Sequence, residues 1–225
     1  PYQVIMDSRK AGSKSYMWIY RTGMHYEHPI VLYDYQKTRN ASHPREFLKD
    51  FSGVCVTDGY QVYHTIEKER EDLKIAGCFA HVRRRYDEAL TAMPKGSQKG
   101  RLAYKALAMI QAIYKADGEL KDLPPDERLM KRQLIVKPLV EAYFEWCHAN
   151  ERRISEKNKT AKGISYSLNQ EKYLKVFLED PYVPLDNNAA ERAIRGFCIG
   201  KKNFVMIDTV SGAKASAIIY SLVET

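Results

Sequence analysis

The sequence has little that would staple a fold together from outside. Its four cysteines, Cys55, Cys78, Cys147 and Cys198, are scattered among apolar neighbours, with no Cys-x-x-Cys pair. In a chain of 225 residues, 44% of them hydrophobic, this reads as reduced thiols in a core rather than a disulfide framework, and points to the cytosol. There is no uninterrupted apolar run of about 18 residues, which excludes a membrane-spanning helix. No secretory signal opens the chain. Internal repeats and low-complexity tracts are absent as well, so a solenoid or a disordered array is excluded. The chain starts abruptly at Pro1 and stops inside an unfinished helix at Thr225, so both ends are expected to be cuts in a longer protein.

Acidic residues are in the minority: 28 Asp and Glu face 36 Lys and Arg, a formal charge of +8. Such an excess favours a polyanionic partner, because bound Lys and Arg release counterions from phosphate backbones. The plain alternative is a soluble protein that is mildly basic for no functional reason.

Along the chain the first third is rich in β-prone residues. Ser15–Arg21 and Pro29–Tyr35 are aromatic and apolar runs separated by a Thr22-Gly23 turn signal, which predicts an antiparallel pair. Ser42-His43-Pro44 is expected to open a short helix through Phe51 with Ser42 as its N-cap, and Val54–Thr57 reads as a short apolar strand ending at Asp58-Gly59. Leu73–Phe79 predicts another strand that runs into a basic helix near His81. From residue 94 to residue 163 the pattern becomes purely helical. Leu102, Ala106, Met109, Ile110 and Ile113 recur at helical spacing, as do Ile135, Leu139, Ala142 and Trp146. Pro124-Pro125 separates the two patterns, and Pro138 is expected to start or kink the second helix. This block carries most of the net positive charge; it is either a second nucleic-acid surface or a helical pair with a solvated face. Further on, the capping run Asp186-Asn187-Asn188 predicts a short helix from Ala189 that Gly196 ends. Phe197–Ile207 is expected to be hairpin-like, and a last helix near Ser211 is expected to bury Ala217, Ile218 and Leu222. The fold class is therefore α/β, with an antiparallel start and an all-helical interruption.

Few residues offer chemistry. Asp58 ends a buried strand, where ligand sites of α/β sheets collect, although Asp-Gly is also a common turn. Glu191 follows a run of capping residues; with other carboxylates it could hold a pair of Mg²⁺ ions, or it could simply pair with Arg195 one turn on. Cys78 and His81 form a Cys-x-x-His pair at a strand–helix junction, half a zinc site at most, since no second half is evident. His81-Val-Arg83-Arg84-Arg85-Tyr and Gly200-Lys201-Lys202-Asn203-Phe put cations beside aromatics. That pairing suits phosphate contacts with base or sugar packing, and equally an ordinary solvated face.

Taken together, several motifs resemble the insertion sequence 66 family of transposases. They are Val-Cys-Val-Thr-Asp58-Gly-Tyr, Gly-Cys78-Phe-Ala-His81-Val-Arg-Arg-Arg-Tyr, Leu-Asp-Asn-Asn-Ala-Ala-Glu191-Arg-Ala-Ile-Arg195, Gly-Lys201-Lys202-Asn203-Phe, and the ending from Ser211. They occur in the family's order from Pro1 to Thr225, with the helical block the weakest part. The resemblance implies an RNase H-like mixed sheet flanked by helices, formed by residues 1–93 and 164–225, with residues 94–163 as a helical insertion. It implies a three-carboxylate DNA phosphoryl-transfer site using two Mg²⁺ or Mn²⁺ ions, with Asp58 the second acidic residue and Glu191 the third. The first belongs to an Asp-Glu-Thr-Pro segment whose proline matches Pro1, so it lies upstream. Asp7 is not assigned that role, and the chain alone is expected to be inactive. Cys78 and His81 match site-supporting positions. Arg83, Arg84, Arg195, Lys201, Lys202 and Asn203 are the expected DNA contacts. The implied partners are double-stranded DNA, as element ends and target, a homo-oligomer on that DNA and accessory transposition proteins. No membrane is involved, and the setting is the bacterial cytoplasm. A catalytically inactive or repurposed DNA-binding module of the same fold is the alternative, and an RNase H-like interaction domain with an incidental basic surface is a third.

Overall fold

The computed structural model describes residues 1–10, 12–23, 25–94, 96–98, 100–155, 158–204 and 206–225. They form two compact units, Pro1–Ser52 with Asn188–Thr225, and Gly53–Asn187. In chain order the first unit opens with strands β1 (Tyr2–Met6), β2 (Lys14–Arg21) and β3 (Val31–Gln36), then helix α1 (Ser42–Phe47). The antiparallel pair expected from the aromatic runs is present, with Trp18 opposite Asp34 and Tyr20 opposite Leu32. Alternation along β3 sends Val31, Tyr33 and Tyr35 inward.

The second unit begins with β4 (Gly53–Val56), crosses through α2 (Gln61–Lys68) and returns as β5 (Leu73–Ala76), parallel to β4. Helices α3 (Phe79–Thr91), α4 (Leu102–Gly118), α5 (Pro125–Lys131), α6 (Lys137–Glu151), α7 (Lys159–Asn169) and α8 (Glu171–Leu174) follow. Ala106, Ile110 and Ile113 are fully buried, as the helical spacing predicts, and Trp146 is buried too, whereas Leu102, Ile135 and Ala142 are exposed. Pro125 opens α5 at a position where its missing N–H has no partner to lose. Before Pro138 the chain makes a π-helical turn, Arg132–Val136, the expected response to a proline that can neither donate nor fit the preceding turn.

The chain then returns to the first unit with α9 (Asn188–Phe204), β6 (Ile207–Thr209) and α10 (Val210–Glu224). Its sheet has the order β3-β2-β1-β6, with β1 antiparallel to β2 and parallel to β6. Two expectations are corrected here. Gly196 does not end a short helix, and Phe197–Ile207 is not a hairpin: α9 runs through both to Phe204, leaving only Ile207 in strand (Val205 lies outside the described residues). The glycines mark close approach rather than a cap. A Cβ on Gly196 would meet Glu224 Oε1 at 2.5 Å, and one on Gly200 would run into the Tyr220 hydroxyl. The last helix buries Ala217 as expected, but not the two larger side chains expected beside it. Ala213 and Ala217 are buried, while Ile218 and Leu222 are 62% and 77% exposed. Small residues let α10 lie close to β3, where Ser221 Oγ accepts from Tyr33 N at 2.8 Å and Thr225 Oγ1 from Val31 N at 3.0 Å. Side-chain hydroxyls thus occupy an edge that a further strand would otherwise seek. Among the described residues no helix is long and apolar enough to cross a membrane.

Candidate functional site

Asp58 stands just past the carboxyl end of β4, in the unit Gly53–Asn187, with its side chain exposed. Its Oδ1 accepts the Tyr60 N–H at 3.1 Å, closing the turn that begins α2. Gly59 adopts φ +78°, which favours glycine, and a Cβ there would lie 2.7 Å from the Tyr166 hydroxyl and 3.2 Å from Gln170 Oε1. Tyr166, on α7, donates to the Asp58 carbonyl at 3.2 Å. Burial pushes its phenol up to about 12, so it remains a donor across the physiological range. The Asp58 turn is therefore fixed from α7 and the residue after it. Thr57 Oγ1, His64 Nε2 and Gln170 Oε1 are among the buried polar atoms of this unit with no hydrogen-bond partner among the described residues.

Cys78 caps the start of α3 as expected for a strand–helix junction. Its thiol donates to Asn187 Oδ1 at 2.9 Å and accepts from Asn187 N at 3.4 Å, while Phe79 N donates to Leu185 O at 3.0 Å. These bonds pin residues 185–187 to the end of β5. Burial pushes the Cys78 thiol up to about 11, so it is neutral and structural. The neighbouring Asp186 accepts from the Tyr114 hydroxyl at 2.8 Å. His81 lies half-buried in the first turn of α3. All three following arginines are exposed, yet they differ: Arg83 faces Asp87 at 3.6 Å, while Arg85 lies over the Tyr166 ring, 5.2 Å from its centroid.

Glu191 belongs to the other unit. It is half-buried in the first turn of α9, where the helix dipole favours a carboxylate. Arg195 is exposed one turn further on. Lys201, Lys202 and Asn203 lie on the last turn of the same helix rather than in a loop. Lys201 Nζ donates to the Pro1 carbonyl at 2.5 Å, whereas Lys202 and Asn203 are exposed. Among the described residues no group of three or more His, Cys, Asp and Glu could hold a metal ion. Asp58 and Glu191 are nonetheless oxygen donors of the hard type that Mg²⁺ takes, so their chemistry fits the ion.

Sequence reasoning passed over Tyr166, Gln170 and Tyr114. Each lies more than 50 residues from the motif it supports, and nothing local distinguishes it from an ordinary core residue.

The chain is similar to uncharacterized protein y4qI of Sinorhizobium fredii, with 29% identity over 224 residues, 95% of this chain and 40% of that protein. Uncharacterized protein y4hP of the same organism is 26% identical over 207 residues, 88% of this chain and 38% of that protein. The chain thus spans about two fifths of the length of the curated relatives it matches. No solved structure matches it. The family match described as Transposase IS66 family runs over residues 1–215, taking in the Asp58, Cys78, Glu191 and Lys201 motifs. The chain belongs to the Transposase IS66 family.

Proposed function

We propose that this chain is the catalytic core of a bacterial insertion-sequence transposase of RNase H-like type, interrupted by a helical insertion at residues 94–163. Its work is to cut DNA at the element's ends and join the freed 3′ hydroxyl to target DNA. The observation that carries this reading is the family match, which spans both carboxylate motifs, with Asp58 exposed just past a parallel strand.

In this reading Asp58 and Glu191 are two of three metal-binding carboxylates, and the resemblance puts the remaining one in a segment before Pro1. Bound Mg²⁺ or Mn²⁺ supplies activation of the attacking hydroxyl or water and stabilisation of the leaving oxygen. The Tyr60 N–H and the Tyr166 hydroxyl hold the turn that aims the Asp58 carboxylate. Cys78 and Asn187 fix the end of β5 beside it, and His81 supports the same junction. Arg83, Arg84, Arg195, Lys202 and Asn203 are exposed and offer phosphate contacts; Lys201 is partly engaged by Pro1. Double-stranded DNA is the partner, bound by an oligomer of this protein in the bacterial cytoplasm, with accessory transposition proteins.

The test is Mn²⁺-dependent nicking of labelled element-end DNA by the full-length protein, beside its Asp58→Asn and Glu191→Gln variants. Both variants are expected to lose cleavage to background while still binding DNA. Cleavage equal to the parent in either one removes that residue from the site. DNA binding without cleavage in the parent itself would instead favour a non-catalytic DNA-binding module.

A further inference from the structure

Helix α3, the end of α6 with the residues after it, and α7 enclose an open cleft of about 940 Å³. Arg85, Arg152 and Lys162 line it from three different parts of the chain, with Glu151 the one carboxylate among the described lining residues. Ser165 adds a hydroxyl and Tyr166 a ring, over which the Arg85 guanidinium lies. Cations brought together from α3, from the residue after α6 and from α7 suit a run of phosphates, since a linear polyanion is held by several positive charges rather than by one. A hydroxyl and an aromatic face beside them suit the sugar-phosphate backbone and an unstacked base. Tyr166 is shared: it lines the cleft and its hydroxyl donates to the Asp58 carbonyl, so the cleft abuts the Asp58 turn within one unit.

We propose that this cleft is a track for the DNA sugar-phosphate backbone, with Arg85, Arg152 and Lys162 holding the strand that passes Asp58. The proposal rests on the transposase reading and adds to it a DNA surface built by the helical block. Arg152 and Lys162 make the contact that the basic composition of that block leaves unplaced. Arg85 adds to it the arginine of the His81–Tyr86 run that faces Tyr166 rather than an aspartate.

The test measures binding of fluorescent element-end DNA to the full-length protein in EDTA across a salt series. Arg152→Gln with Lys162→Gln is compared with Lys105→Gln with Lys115→Gln, an equal loss of charge from exposed positions on α4. The cleft pair is expected to make the log–log salt slope shallower by about 1.8, the loss of two phosphate contacts, while the α4 pair leaves it unchanged. Thermal melting at the parent temperature for both pairs confirms that the fold is kept. Equal slopes for the two pairs, an unchanged slope in the cleft pair, or no DNA binding by the parent overturns the track. A poly-glutamate peptide whose binding alone depends on Arg152 and Lys162 would reassign the cleft to an acidic protein segment. Because the measurement is made without metal, the track can fail while Asp58→Asn still abolishes nicking, and the catalytic reading can fail while the track stands.

Discussion

At the centre of the unit Gly53–Asn187 sits a guanidinium with no exposed surface. Arg132 donates from Nε to Asp117 Oδ1 at 2.6 Å, and from Nη1 to the carbonyls of Phe177, Asp180 and Val183. Nearby, the hydroxyls of Tyr86, Tyr143 and Ser167 bond one another inside the same apolar core. In the unit Pro1–Ser52 with Asn188–Thr225 the middle is filled by rings instead. Phe197 packs edge-on against Tyr2, Phe204 and Tyr220, and Tyr2 lies against Tyr35. Its ion pairs, among them Asp7 with Arg9 and Lys49 with Glu46, sit outside that ring cluster. The difference bears on specificity. Rings tolerate small shifts because dispersion has no direction, whereas the buried Arg132 guanidinium directs its N–H donors at particular acceptors. The helical unit, which fixes the Asp58 turn through Tyr166, is thus the one whose geometry is set by directional bonds.

Breaking that directional centre should have the largest effect. Arg132→Met leaves Asp117 buried without its main partner and frees three carbonyls. A loss of about 3–5 kcal/mol is expected in urea unfolding followed by Trp146 fluorescence. Adding Asp117→Leu should recover much of the loss, since removing both charges avoids the uncompensated one. A cost near that of an ordinary surface change would mean that the pair fixes nothing. In the ring-filled unit the matching substitution is milder. Tyr33→Phe removes a hydroxyl that donates to the Ala193 carbonyl but keeps the ring against Tyr220, so about 1 kcal/mol is expected. If Tyr33→Phe cost as much as Arg132→Met, the contrast between the units would collapse.

The elements with a clear period were legible in the sequence. The β2–β3 pair, the β5–α3 junction at Cys78 and the inward face of α4 follow from alternation, from apolar runs and from helical spacing. The continuous α9 was not. Gly196 and Gly200 look like punctuation in one dimension, and only the approach of Tyr220 and Glu224 explains them. The inward face of α10 was legible only at Ala217: Ile218 and Leu222 are the larger side chains, but the close contact with β3 selects Ala213 and Ala217. The positions of Asp58 and Cys78 at element ends were readable from the apolar runs that precede them. Tyr166 and Gln170 were not, because they reach Gly59 only through tertiary packing. Arg132 read as one more cation of a basic block, although its charge is spent inside the core.

Acid separates the two units with the smallest effect, and the sign follows from one group in each. Burial lowers the His64 pKa below 6.5, Lys172 and Lys68 act in the same direction, and Glu67 and Asp58 oppose them. The ring is stacked on Tyr173 at 3.8 Å, so the folded state holds it neutral where the unfolded chain would protonate it. Its contribution is complete above 6.5 and is lost as pH falls from there toward the depressed folded value. Asp7 responds lower. The hydrogen bond from Arg9 holds its carboxyl below 3.8, so its contribution is present above that value and is lost only as pH falls through the folded pKa. Residue-resolved amide exchange between neutral pH and pH 3 should therefore show protection falling first around β5 and α2, and later around β1 and β2. His64→Phe, which keeps a ring on Tyr173, should flatten the first decline and leave the second, and Asp7→Asn should do the reverse. If His64→Phe leaves the decline near pH 6 unchanged, the pH sensitivity of the helical unit lies elsewhere and burial of this imidazole is not its cause.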